Sequence, residues 1–348
     1  MTDTDWMQLA MAEARQGIGK TAPNPPVGAV IVKHDVMLGK GWHRAAGQPH
    51  AEREALAAAV AQHGAAAVRG ATVYVTLEPC SSCGRTPPCT QGLIEAGVAR
   101  VVYACQDRNP HHSGRAAAIL TAAGIAVTVG VLQTAAEHLL RPFFKVCATG
   151  LPWVIWKTAM SLDGRITRPP GEGQWLTGAP ARADVQQLRA TVDAILTSGA
   201  TVRRDHPALT IRQPELLDGR SQPWRVVFSD APASLPPAAP LFTDAWRERT
   251  LIRPRHNLEG SLRLLAREQG VLTAMTEAGG VFAAALFAAG LIDEVVIYYA
   301  PLLCGGTVPA LAGDGWRESL RLVDTTIEQI GDDFRLRGII AKGPTPPG

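Results

Sequence analysis

The chain has 348 residues, 46% of them hydrophobic and 19% charged, with a formal net charge of +3 and six cysteines. Length and composition suit a globular protein with two domains and exclude a disordered one. So small a charge gives no ground for a nucleic-acid or membrane partner and suits an anionic small molecule as well as a neutral one.

In chain order, the opening stretch MTDTDWMQLAMAEARQG places Trp6, Leu9, Ala10 and Ala14 close to helical spacing, with cap residues among Asp3 to Asp5 and an end near Gln16. Acidic at its start, it is unlike a secretory signal. Then come a loop, a buried strand over Val27–Val32, a turn at His34-Asp35 and a second strand. Glu52–His63 reads as an Ala-rich helix and Ala71–Leu77 as a strand. Pro88–Ala96 reads as a helix ended by Gly97, Val101–Ala104 as a strand, Ala116–Ala123 as a helix and Ile125–Val129 as a strand. A helix over Thr134–Val146 leads to a boundary near Thr149–Pro152. Beyond it, strands over Trp153–Lys157, Ala194–Thr197, Arg225–Phe228 and Glu294–Tyr299 alternate with helices over Ala179–Ala190 and Val281–Ala289. The Pro/Ala-rich run Ala231–Pro240 reads as a surface loop, and the tail from Gly343 to Gly348 as disorder. No motif recurs between the halves. The apolar stretch from Val281 to Ile292 is too short and too interrupted by glycine to span a bilayer. The expected architecture is α/β throughout: a three-layer sandwich on a largely parallel sheet, then a second α/β domain.

Chemistry concentrates in His50-Ala51-Glu52, Pro79-Cys80-Ser81-Ser82-Cys83 and Pro88-Cys89. One imidazole, two thiolates and a carboxylate that need not bind metal are the parts of a zinc deaminase. Three protein ligands leave a fourth position for a water whose pKa the metal lowers. The short P-C-x-x-C pattern would pair Cys80 with Cys83. Local structure favours Cys89 instead: Gly84, Pro87 and Pro88 interrupt any helix from Cys83, whereas Cys89 falls in the first turn of a helix begun at Pro88. A thiolate there gains from the helix dipole. A structural zinc would add Cys83 as fourth ligand, but gives no reason for Glu52 to follow His50. With Cys105, Cys147 and Cys304 scattered, the cysteines point to a metal site in a reduced, cytoplasmic compartment rather than to disulfides. In the second half no G-x-G-x-x-G follows a strand. Glu277-Ala278-Gly279-Gly280, opening a helix, is the candidate phosphate site.

PNPPVGAVIVK, GWHRAAGQPHAE, VTLEPCSSCGRTPPC and QDRNP resemble the deaminase half of the bifunctional riboflavin-biosynthesis deaminase–reductases. KTAMSLDGRI, GQWLTGAPAR, LRATVDAILTSGATVRRDHPALTIR, EAGG and APLLCGG resemble the reductase half, in the same order. The resemblance implies a cytidine-deaminase-like domain over 1–147 and a dihydrofolate-reductase-like domain over 148–348. It also implies one zinc on His50, Cys80 and Cys89, with Glu52 moving protons and Asn24 and His43 lining the base pocket. The substrate would be a diaminopyrimidinone ribosylamino phosphate, deaminated and then reduced by NADPH at C1′. Lys157, Asp205 and Glu277 would surround the sugar, Arg189 and Arg212 would reach its phosphate, and Leu209 would offer backbone contacts there. Met160, Trp175, Thr201, Asp205 and the Gly279-Gly280 turn would contact NADPH. Three positions depart from the family: Cys83 for its usual His or Tyr, Gly173 at the substrate pocket for its usual Ser, and His206 for its frequent Asp or Asn. A homodimer through the second domain is the family's habit.

Two other readings have distinct consequences. A nucleic-acid or nucleoside deaminase with an unrelated C-terminal domain needs a basic groove, and the first half has no Lys/Arg cluster. A zinc-stabilised binding module would unfold on chelation.

Overall fold

The computed structural model describes residues 1–82, 88–109, 113–313, 315 and 318–341. Cys83 and the tail from Gly343 lie outside them. The chain divides into two compact units, Met1–Gly150 and Leu151–Gly348.

The first unit holds a five-stranded sheet: β1 (Gly28–Lys33), β2 (Val36–Trp42), β3 (Thr72–Val75), β4 (Arg100–Tyr103) and β5 (Ala126–Val129), in the order β2-β1-β3-β4-β5. Along β1 the side chains alternate between two apolar layers. Ala29 and Ile31 pack with the helices Ala51–His63, Cys89–Ala96 and Ala116–Ala122. Val30 and Val32 pack with the helices Asp3–Arg15 and Gln133–Thr149. A strand buried on both faces must be apolar throughout, which is why GAVIVK reads as a continuous run. The first helix is closed by a capping box between Thr2 and Asp5.

The expectation of a largely parallel sheet holds here for β3/β4 and β4/β5 only; β1/β2 and β1/β3 are antiparallel. His34 and Asp35, at φ of 51° and 57°, make a two-residue hairpin turn, and so short a connection joins only antiparallel strands. The helix Ala51–His63 then carries the chain past β1, and β1 is left antiparallel to both neighbours. A Cβ on Gly41 would stand 2.6 Å from the Ala55 nitrogen, so glycine on β2 lets this helix close on the sheet.

The second unit is built on eight strands: β6 (Trp153–Ser161), β7 (Ala194–Ser198), β8 (Trp224–Phe228), β9 (Thr250–Arg253), β10 (Thr273–Thr276), β11 (Glu294–Ala300), β12 (Leu322–Ile330) and β13 (Asp333–Ile340). Their order is β12-β13-β11-β6-β10-β7-β8-β9. All pairings from β11 to β9 are parallel, and β12 and β13 add an antiparallel hairpin at one edge. Ile155, Ile195 and Met275 face one apolar layer, whereas Val154, Leu196 and Ala274 face the other. The Pro/Ala-rich run expected as a surface loop is tied to this core, with Leu235 and Ala239 buried. Among the described residues no helix is long and apolar enough to cross a membrane.

Candidate functional site

In the first unit, His50 is the N-cap of the helix Ala51–His63, and Glu52 sits in that helix's first turn. Cys80 lies beyond the end of β3, and Cys89 opens the helix Cys89–Ala96. These three elements bring His50 Nδ1 to 3.5 Å from Cys80 Sγ and 3.4 Å from Cys89 Sγ. The three donor atoms lie within 4.8 Å of one another. Bonds of about 2.3 Å to sulfur and 2.0–2.1 Å to nitrogen at tetrahedral angles would put sulfur roughly 3.6 Å from nitrogen, so the donor set fits zinc.

The protons point the same way. The Cys80 thiol is pulled down to about 4, chiefly by a hydrogen bond from the Cys89 thiol, against burial and with help from His50 and the Cys89 amide. The Cys89 thiol is pushed well up by that same bond and by burial. The two sulfurs thus share a proton where a cation would serve better. The Cys89 amide donates to Cys80 Sγ at 3.2 Å, as expected at a helix N-terminus. Glu52 is 3% exposed, and burial, then the Cys80 thiolate, raises its pKa.

A cavity of about 320 Å³ opens on this cluster, lined by Asn24, His43, His50, Glu52 and Cys80 among others. His43 Nδ1 faces the Pro49 carbonyl at 3.0 Å, and its Nε2 lies 2.9 Å from Asn24 Nδ2. A carbonyl only accepts, so Nδ1 carries the proton and Nε2 accepts from the Asn24 amide. Burial lowers the His43 pKa, in keeping with a neutral ring. Gln48, Glu78, Asp107 and Asn109 also line this cavity. The reading of the sequence gave them no role, although Glu78 stands in the EPC motif and Asp107 and Asn109 in QDRNP.

The second unit has a cavity of about 1300 Å³. Lys157, Gly173, Trp175, Arg189, Thr201, Asp205, Leu209, Arg212, Glu277, Gly279 and Gly280 all line it. Met160 is not among the lining residues; its side chain is buried in the core. Arg189 closes the helix Ala179–Arg189 and its fork grips Glu277, Nε to Oε1 at 2.7 Å and Nη2 to Oε2 at 3.0 Å. Its Nη1 donates to the Thr210 carbonyl at 2.7 Å. The guanidinium expected at a substrate phosphate is therefore engaged inside the protein, while Arg212 is exposed on the cavity wall. Lys157 Nζ is 3.7 Å from Glu277. Burial alone would raise the Glu277 carboxyl, but Arg189, then Lys157 and Arg212, override it and hold it at about 2.

Glycine has separate reasons at the two turn positions. A Cβ on Gly280 would meet the Pro309 carbonyl at 2.6 Å, whereas one on Gly279 would meet nothing within 4 Å. Gly173 is at φ 98°, a conformation that strains any L side chain, the family's usual Ser included. His206 ends the helix Gly199–Asp205 at φ 42°, a left-handed turn that Asp and Asn adopt most readily. Seven Lys or Arg residues line the cavity against Asp205 and Glu277, a balance suited to ligands carrying phosphates.

Comparison with known proteins agrees with the two-unit division. Residues 1–105 match the cytidine and deoxycytidylate deaminase zinc-binding region, and residues 152–336 match the RibD C-terminal domain. The chain is 40% identical to the riboflavin biosynthesis protein RibD of Haemophilus influenzae, covering 96% of each. It is 42% identical to that of Escherichia coli, over 89% of this chain and 91% of the relative. The solved structure of Acinetobacter baumannii RibD superposes with a TM-score of 0.86 at 37% identity, covering 97% of this chain and 99% of that one. A Thermotoga maritima diaminohydroxyphosphoribosylaminopyrimidine deaminase/5-amino-6-(5-phosphoribosylamino)uracil reductase gives 0.86 at 29%, with the same coverage. With that identity sustained from end to end, and with the three metal donors gathered at one cavity, the chain belongs to the RibD family of riboflavin biosynthesis proteins.

Proposed function

We propose that the chain is a bifunctional enzyme of riboflavin biosynthesis, acting on a small phosphorylated pyrimidine. Residues 1–147 remove the 2-amino group of 2,5-diamino-6-ribosylamino-4(3H)-pyrimidinone 5′-phosphate as ammonia, and residues 148–348 reduce the ribosyl group to ribityl. It works in the cytoplasm as a homodimer or higher homo-oligomer, without nucleic acid. The observation that carries the reading is a buried carboxylate, Glu52, beside a three-donor zinc set on one cavity.

Zinc, when bound by His50, Cys80 and Cys89, supplies a water of lowered pKa. Glu52 takes one proton from the attacking water and passes it to the ring nitrogen. It then takes the second from the hydroxyl added to the ring and passes it to the amine, so that the carbonyl forms as the C–N bond breaks and ammonia leaves. A carboxyl whose pKa is raised by burial accepts a proton more readily than an exposed one. The neutral His43 fixes the Asn24 amide, which orients the pyrimidine edge.

In the second unit NADPH, when bound, supplies the hydride for C1′. Trp175, Thr201, Asp205 and the Gly279-Gly280 turn are the cavity groups assigned to it. Lys157, steadied by Glu277, protonates the ring oxygen as the sugar opens. Arg212 and the backbone at Leu209 take the sugar phosphate, with Gly173 beside them, while Arg189 holds Glu277 in place.

The test is NADPH oxidation followed by absorbance, started with the diaminopyrimidinone substrate, before and after zinc removal. Oxidation that requires zinc, and returns when the deaminated intermediate is supplied to zinc-free protein, is the expected result. No oxidation with either compound would overturn the reading.

A further inference from the structure

Glu78 is 3% exposed, lines the deamination cavity and has no part in the chemistry above. Its carboxylate accepts three backbone hydrogen bonds. Oε2 receives the Asp107 amide at 3.1 Å and the Gly114 amide at 3.0 Å, and Oε1 receives the Ala116 amide at 3.0 Å. Glu78 follows β3 and these amides follow β4, its parallel neighbour, so one side chain ties the two strand ends together. Its own amide donates to the Cys105 carbonyl at 2.9 Å, which fixes where the carboxylate starts.

The amides come from both feet of the connection between β4 and the helix Ala116–Ala122: Asp107 after the strand, Gly114 and Ala116 where the helix begins. Near the first foot Asp107 Oδ1 accepts from the Asn109 amide at 2.8 Å, and Asp107 and Asn109 both line the cavity. None of the Glu78 hydrogen bonds goes to His50, Cys80 or Cys89. Within the zinc set, His50 and Cys89 stand on two separate helix starts, and Cys80 follows Glu78 by two residues on the segment beyond β3.

We infer that Glu78 is a positioning residue for substrate recognition: it clamps the loop that presents Asp107 and Asn109 to the base-binding cavity. This rests on the deaminase reading above and adds a division of labour within the site. His50, Cys80, Cys89 and Glu52 carry out the reaction, while the clamped loop supplies a carboxylate and a carboxamide that recognise the hydrogen-bonding groups of the substrate. A glutamine of the same size cannot replace the clamp, because its NH₂ end would face backbone N–H groups instead of accepting from them.

The test uses full-length zinc-loaded protein with Glu78→Gln and Glu78→Asp, the diaminopyrimidinone ribosyl phosphate as substrate, and metal analysis. The expected outcome for Glu78→Gln is a rise in KM of about tenfold or more, with kcat within about threefold of wild type, as for lost binding rather than lost chemistry. Zinc content and NADPH-dependent reduction of separately supplied intermediate stay at wild-type levels, which shows a folded chain. Faster hydrogen exchange at the amides of Asp107, Gly114 and Ala116 accompanies the change. Glu78→Asp, which keeps the charge on a shorter arm, falls between. A KM within about twofold of wild type in both variants would overturn the inference. So would loss of zinc with kcat collapsed and KM unchanged, since Glu78 would then act on the Cys80 segment. Absence of deamination by the wild type would overturn the functional reading itself.

Discussion

Arg189→Met removes the guanidinium that grips Glu277 but keeps much of the side chain's bulk. Glu277 is left buried with Lys157 at 3.7 Å as its remaining close cation. A carboxyl held at about 2 against an ordinary 4.5 corresponds to about 3 kcal/mol of net favourable interaction. Breaking a buried pair by removing one member typically costs ~3–5 kcal/mol, because the other charge is stranded. We therefore expect residues 151–341 to lose about 3 kcal/mol at pH 7. The pH dependence has a definite sign. The folded value of Glu277 lies below the unfolded one, so its contribution is present above 4.5 and lost as pH falls through about 2. The deficit of the variant is thus largest at neutral pH and shrinks on acidification. Urea unfolding read by hydrogen exchange in peptides from β6, β7 and β10 isolates this unit. Arg189→Met/Glu277→Met, which removes both charges, should regain most of the loss. A loss below about 1 kcal/mol, or one as large at pH 4 as at pH 7, would refute the assignment of a buried, charge-coupled pair.

Five other substitutions probe the sites. Glu52→Ala abolishes deamination while zinc stays bound and reduction continues; loss of either in that variant removes Glu52 from the proton-transfer role. Metal analysis should find zinc lost from Cys89→Ser and retained in Cys83→Ser, and the reverse result reassigns the ligand. Gly280→Ala drives a Cβ to 2.6 Å from the Pro309 carbonyl and should destabilise by about 1–3 kcal/mol, as overpacking does. Gly279→Ala meets open space and should leave thermal stability unchanged, so equal effects at the two positions would contradict the packing account.

Much of the fold was legible because burial leaves a periodic trace. The run GAVIVK, the turn His34-Asp35, the Ala-rich helix after His50 and the end at Gly97 all correspond to observed elements. Strands without such a trace went unread. In β12 seven consecutive residues are exposed, so no apolar alternation marks it. Leu235 and Ala239 were hidden in a run whose prolines suggest a loop. Proline forbids regular structure but not burial.

By itself, the sequence determined the chemistry on offer: one imidazole, paired thiols and a carboxylate two residues from the imidazole, with Pro88 placing Cys89 at a helix start. These are local facts, set by spacing along a helix or by the end of a strand. Only the tertiary structure decided that Arg189 serves Glu277, 88 residues away, and that Glu78 serves amides 29 to 38 residues away. Sequence spacing carries no trace of such pairs. They exist because desolvation obliges a buried charge to find a partner, and the packing of the elements determines which one is within reach.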